Sequence, residues 1–253
     1  MTRAPTRTSF TSSALIRALS DLALLNVAEP GSAFAEQLSA WLNLHDAIAL
    51  RSVLSVSVSA ASTAAPPVDP TNLGDELARL RATLTHAITV ADGASGNKRR
   101  IDLPPDSHGM SDSAAAAFEP YRRYYLAHQR DMDTSIGVLR IRARDVLTKT
   151  SRALAKLAAL DGVFDATLTE REGRLLSKIP ALLEKRFDQL RKAHQQALAD
   201  VAPAVTGAQS ITPGSWVKHF CRDMQAVLLA ELDVRLQPTL GLVEAYNQEL
   251  CTP

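Results

Sequence analysis

The run MDTSIGVLRIRARDVLTKTSRALAKLAALDGVF, residues 132–164, decides the fold class. In it Ile136, Leu139, Ala143, Val146, Thr150, Ala153, Leu157, Leu160 and Phe164 recur at steps of three and four. An α-helix gathers such positions on one side, whereas a strand needs strict alternation. A seam of this length marks a helical hairpin or a coiled coil, with Asp161 and Gly162 as the place for a bend. A second periodic stretch follows: Leu176, Ile179, Leu183, Phe187, Leu190 and Ala197. Pro180 inside it should kink the helix or start a new one. Two long helices of this kind are expected to lie antiparallel with their seams buried on each other.

Proline placement organises the rest. None occurs from Tyr121 to Ile179, while Pro30, Pro66, Pro67, Pro70, Pro104, Pro105 and Pro120 punctuate the first half. Ser12 or Ser13 caps a first helix carrying Leu15, Ile16, Leu19 and Leu22; Ser32 caps a second with Phe34, Leu38 and Trp41. His45 and Asp46 open a third through Ile48, Leu50 and Leu54. Val53 to Val58 alternates like a strand but is short and has no mate, so it reads as a frayed helix end. After a break from Pro203 to Gly214, Ser215 caps a helix with Val217, Phe220, Met224, Leu228 and Leu232, and Pro238 separates it from a last one. The expectation is an all-α protein: a helical bundle of long antiparallel helices over 113–253 and a smaller N-terminal helical module over 1–60. A linker over 61–112 joins them and holds a short helix near 72–90, whose signature is Leu73, Leu77, Leu80, Leu84 and Ile88.

Composition agrees. Apolar residues make up 46% and aromatics only 5%, a mixture that favours helices packed through small and aliphatic side chains. Cys221 and Cys251 are the only cysteines, so no disulfide framework holds the fold. Arg17 and Asp21 interrupt the N-terminal apolar run, and no stretch approaches a membrane span. The expected compartment is the cytoplasm, without membrane insertion.

Catalytic signatures are missing. Gly93-x-x-Gly96 lacks the context and ending of a phosphate loop, and HExxH, CxxC and GxSxG do not occur. His219 and Cys221, two residues apart, diverge on a helix. Asp131 with Asp133, and Asp161 with Asp165, are acid pairs of the kind a metal nuclease needs, but on helices they read first as solvated faces. No catalytic residue, metal ligand or cofactor is assigned, which favours a non-enzymatic protein.

Charge carries more. From Tyr121 to Lys156 nine Lys/Arg stand against three Asp/Glu, while from Val201 onward the ratio is three to five. Arg122, Arg123, Arg130, Arg142, Lys149, Arg152 and Lys156 are therefore the candidate nucleic-acid-binding residues. Arg142, Lys149 and Lys156 recur every seven residues, a stripe of about 21 Å that suits a phosphate backbone or an acidic partner helix. Tyr121, Tyr124 and Tyr125 among these cations suit stacking on unpaired bases. The plainer reading remains open: flanking charges of a hairpin, with Asp145 pairing Arg142 and Lys149, and tyrosines in the core.

Three segments carry a resemblance. Ser32-Ala-Phe-Ala-Glu-Gln-Leu-Ser-Ala-Trp-Leu with His45-Asp-Ala-Ile-Ala-Leu, Tyr121-Arg-Arg-Tyr-Tyr-Leu-Ala-His-Gln-Arg-Asp-Met, and Ile179-Pro-Ala-Leu-Leu-Glu-Lys-Arg-Phe-Asp-Gln-Leu-Arg resemble a proteobacterial helical family. That family is found in operons with motor and OmpA-like genes. The resemblance implies an accessory or effector component of a type III Zorya-like anti-phage system, partnered by the products of neighbouring genes; the basic region over 121–156 adds DNA as an expected partner, and an oligomer is compatible. It brings no catalytic residues. The rival expectation is an adaptor docking on the cytoplasmic tail of a motor complex.

Overall fold

A computed structural model describes residues 13–25, 41–55, 73–90, 117–201 and 215–251. Helix dominates, and no strand occurs among them. The helices are α1 (Ala14–Asp21), α2 (Leu44–Ser55), α3 (Leu73–Thr89), α4 (Glu119–Thr150), α5 (Arg152–Leu176), α6 (Ile179–Val201) and α7 (Ser215–Leu250). The all-α bundle expected from the spacing is what forms. The second expected helix, from Ser32 to Leu42, and the loop 91–112 lie outside the described residues, except for Trp41 and Leu42.

The chain divides into two compact units, and neither is contiguous in sequence. The first comprises Met1–Ala28, Thr85–Asp131 and Ser177–Val234; the second Glu29–Leu84, Met132–Leu176 and Arg235–Pro253.

In the first unit α4 and α7 run parallel: Tyr121 meets Phe220, and Gln129, two turns on, meets Glu231. α6 runs against α7, with His194 beside Trp216 and Arg186 bonded to Asp223. Pro180 opens α6 rather than kinking it, since the first turn has no intrahelical acceptor for a prolyl nitrogen. Phe187 is the hub of the core. Its ring lies 5.0–5.8 Å from those of Phe118, Tyr121, Trp216 and Phe220, within the range of favourable edge and tilted contacts.

In the second unit the long seam is corrected in one respect. It is not continuous: the helix stops at Thr150 and restarts at Arg152. The hydroxyls of Thr148 and Thr150 turn back onto the carbonyls of Arg144 and Val146, and Ser151 Oγ accepts the Leu154 N–H as a cap. Gly162, where the bend was expected, lies inside α5. Ile136, Leu139 and Ala143 are buried as expected, but Leu147, Leu154, Ala155 and Ala158 continue the core. Leu157 and Leu160 are only half-buried, and Thr150 and Ala153 face solvent.

Val53 to Ser55 form the end of α2, in line with the helix-end reading, and residues 56–58 lie outside the described residues. One further expectation changes: α7 passes through Pro238 without a break. Proline there forfeits one backbone bond, while Leu236, Thr239, Leu242 and Val243 on either side stay buried and hold the helical register.

Candidate functional site

The one-residue turn at Ser151 folds α5 back along α4 and brings two arginines and two aspartates together. Arg140 and Arg144 stand one turn apart on α4; Asp161 and Asp165 stand one turn apart on α5. Arg140 grips Asp161 through Nε and Nη2 at 2.9 and 2.6 Å and reaches Asp165 through Nη1 at 2.7 Å. Arg144 bonds the same two carboxylates at 2.7 and 2.5 Å. Burial alone would raise Asp165, but the Arg144 hydrogen bond and both guanidinium charges outweigh it, and its carboxyl stays below the usual range. The Asp161/Asp165 pair is therefore a neutralised joint of the hairpin, not a solvated face. No three His, Cys, Asp or Glu side chains converge as metal ligands among the described residues.

Beside this joint lies a half-open cleft of about 320 Å³. Asp133, Arg140 and Asp165 line it together with Glu172 of α5 and Arg235 of α7. Arg235 is bonded to Asp133. Burial raises the Glu172 carboxyl above its ordinary value; Arg235 and Arg140 pull the other way and Asp133 and Asp165 add to the rise.

The seven candidate cations occupy different settings. Arg122 and Arg123 share Glu119, at 3.5 and 3.0 Å, on the first unit, where Arg130 is exposed too. Arg142 reaches Glu76 of α3 at 3.1 Å rather than Asp145. Lys149, Arg152 and Lys156 are exposed and crowd the hairpin tip, two of them now on α5. The even stripe along one helix is thus replaced by a cluster about the turn. Lys156 Nζ donates to the Leu54 carbonyl of α2 at 3.0 Å.

α2 runs antiparallel to α5: Arg171 donates to the Trp41 carbonyl and Thr167 to Asp46, at the opposite end from Lys156. Asn43 and Asp46 cap it reciprocally, each side chain accepting the other's N–H. This packing adds Arg51, exposed on α2, to the same unit's cations. Sequence reasoning missed it because about a hundred residues separate it from the tip.

The tyrosines are not available for base stacking. Tyr121, Tyr124 and Tyr125 are buried. Tyr124 donates to the Ile88 carbonyl at 3.3 Å, and Tyr125 donates to Glu231 at 2.5 Å. Glu231, 0% exposed, also accepts both bonds from Gln129 Nε2. His128 packs edge-on against Tyr124, 1% exposed, with Nε2 unbonded. Burial pushes its imidazole down to about 4 despite the charge of Asp131. His219 faces Asp223 and Arg186 while Cys221 is buried, so that pair diverges as its spacing implied.

No helix among the described residues is long and apolar enough to cross a membrane. The chain matches the family described as protein of unknown function (DUF3348) over residues 1–248 and belongs to it. No curated protein and no solved structure matches.

Proposed function

We propose that this member of the DUF3348 family is a non-enzymatic accessory or effector component of a Zorya-like anti-phage system, contacting nucleic acid through the tip of the α4–α5 hairpin. One observation carries the nucleic-acid reading. Lys149 and Arg152 are exposed with no ion-pair partner among the described residues, and Lys156 beside them bonds a neutral carbonyl. Three cations within eight residues about the turn leave a local positive charge for an outside anion, and spaced phosphates suit it. Arg122, Arg123 and Arg142 contribute less because acids already partner them. The phage-defence context rests on the resemblance of the three sequence segments.

Fluorescence anisotropy against duplex and single-stranded DNA at several salt concentrations tests this. Three phosphate contacts give a slope of log K against log[salt] near −3 on duplex, at about −0.9 per phosphate. Lys149→Glu/Lys156→Glu should remove about two of those units. With the tyrosines buried, single strands gain no stacking advantage. Absence of wild-type binding at low salt refutes the reading.

A second reading, an adaptor for the helical tail of a motor complex, is favoured by α2. Leu44 and Ile48, one turn apart, are 78% and 58% exposed, and α2 buries no residue of its own. Co-purification with neighbouring gene products that Leu44→Glu/Ile48→Glu abolishes would select it.

A further inference from the structure

Around the cleft of the second unit, charges cancel in pairs with one exception. Arg140 and Arg144 are matched by Asp161 and Asp165, and Arg235 by Asp133. Glu172 is left over: among the described residues it has neither a hydrogen bond nor an ion pair within 4 Å. It nonetheless sits where solvation is poor, as the upward pull of burial on its carboxyl indicates. Asp133, Asp165 and Glu172 against Arg140 and Arg235 leave the cleft wall with one formal negative charge in excess.

Apart from the Thr169 hydroxyl, which already donates to the Asp165 carbonyl, the rest of the lining is apolar. Met132, Ile136 and Pro238 contribute hydrocarbon surface. Gly137 of α4 and Gly173 of α5 border open space; a β-carbon at either would meet nothing within 4 Å. An anion is disfavoured, because Arg140 already spends three donor bonds on aspartates. A metal ion is disfavoured as well, since the carboxylates do not converge into a ligand set. What fits is one positive charge on a slim aliphatic stem.

We propose that this cleft binds an alkylammonium group, with its ammonium on Glu172 and its methylenes along Met132, Ile136 and Pro238. A free aliphatic diamine and a lysine side chain of a partner protein offer the same chemistry. The site is separate from the hairpin tip and stands or falls independently of nucleic-acid binding.

Isothermal titration of the full chain with 1,5-diaminopentane, 1-pentanol, pentanoate and an acetyl-Gly-Lys-Gly-amide peptide tests it. Saturable one-to-one binding is expected for the amines and none for the alcohol or the acid. Glu172→Gln, nearly isosteric and relieved of an unpaired charge, should fold and bind the amines at least tenfold more weakly. Gly137→Leu, which fills the cleft from one wall, should abolish binding with the circular dichroism of the helices unchanged. Tighter binding of the peptide assigns the site to a protein lysine, and tighter binding of the diamine to a free amine. No saturable heat with either amine, or an undiminished affinity in Glu172→Gln, overturns the proposal.

Discussion

The first unit gathers Phe118, Tyr121, Phe187, Trp216 and Phe220 around one another and sets a neutral histidine and a hydrogen-bonded glutamate among them. In the second unit, the helices of the hairpin meet through small aliphatic side chains and a cage of two arginines and two aspartates. One unit is held by ring shape, where a missing atom leaves a void. The other is joined by charge, where a missing partner leaves an uncancelled ion. One unit is thus vulnerable to lost volume and to protonation of its buried histidine, the other to lost pairing.

Phe187→Ala attacks that distinction most directly. Four rings lose their common neighbour, and a loss of about 3–5 kcal/mol is expected in urea unfolding. A near-neutral result would mean that the aromatic cluster does not organise its unit.

Acid comes next, and His128 in the first unit and Glu172 in the second should answer it oppositely. The unfolded chain protonates His128 near 6.5, but the fold does so only near about 4. Between these values the unfolded state binds more protons, so stability falls as pH drops through the window, by on the order of 3 kcal/mol. Burial raises Glu172 above its ordinary value, so it binds protons better when folded, and its penalty fades as pH drops toward the usual carboxylate range. Unfolding curves at pH 7 and 4.5 for wild type and His128→Phe separate the histidine from the carboxylates. Identical pH slopes would deny His128 its role.

The smallest effect belongs to the cage. Arg144→Gln leaves Arg140 to hold both aspartates, and partial exposure of the group limits the loss to about 1–2 kcal/mol. Raising salt should weaken wild type more than the variant. An equal response would show that the cage is screened already.

Much of the helical framework was legible because a core face needs only local spacing. Ile136, Leu139 and Ala143, and Leu183 and Phe187, announce their burial by position alone. The turn at Ser151 was not legible, because Leu154 and Ala158 resume a helical period on the far side of it. Pro238 misled for a related reason: its cost is local, whereas the packing that overrides it comes from buried neighbours on both sides. The candidate site was read least. Lys149, Arg152 and Lys156 were visible as a charge excess, but the acids that occupy Arg142 and Arg122 depend on tertiary and rotamer choices. Tyr125, Gln129 and Glu231 meet across more than a hundred residues, and nothing in their sequence neighbourhoods says so.

The single-residue turn at Ser151 also bears on the order of folding. Arg140 meets Asp161 across 21 residues, whereas Tyr125 meets Glu231 across 106. Loop-closure entropy grows as 1.5RT times the logarithm of that separation, so the longer closure costs ~1.4 kcal/mol more. The hairpin is therefore the segment whose contacts form first, and the α4–α7 pairing of the aromatic unit waits on a slower search.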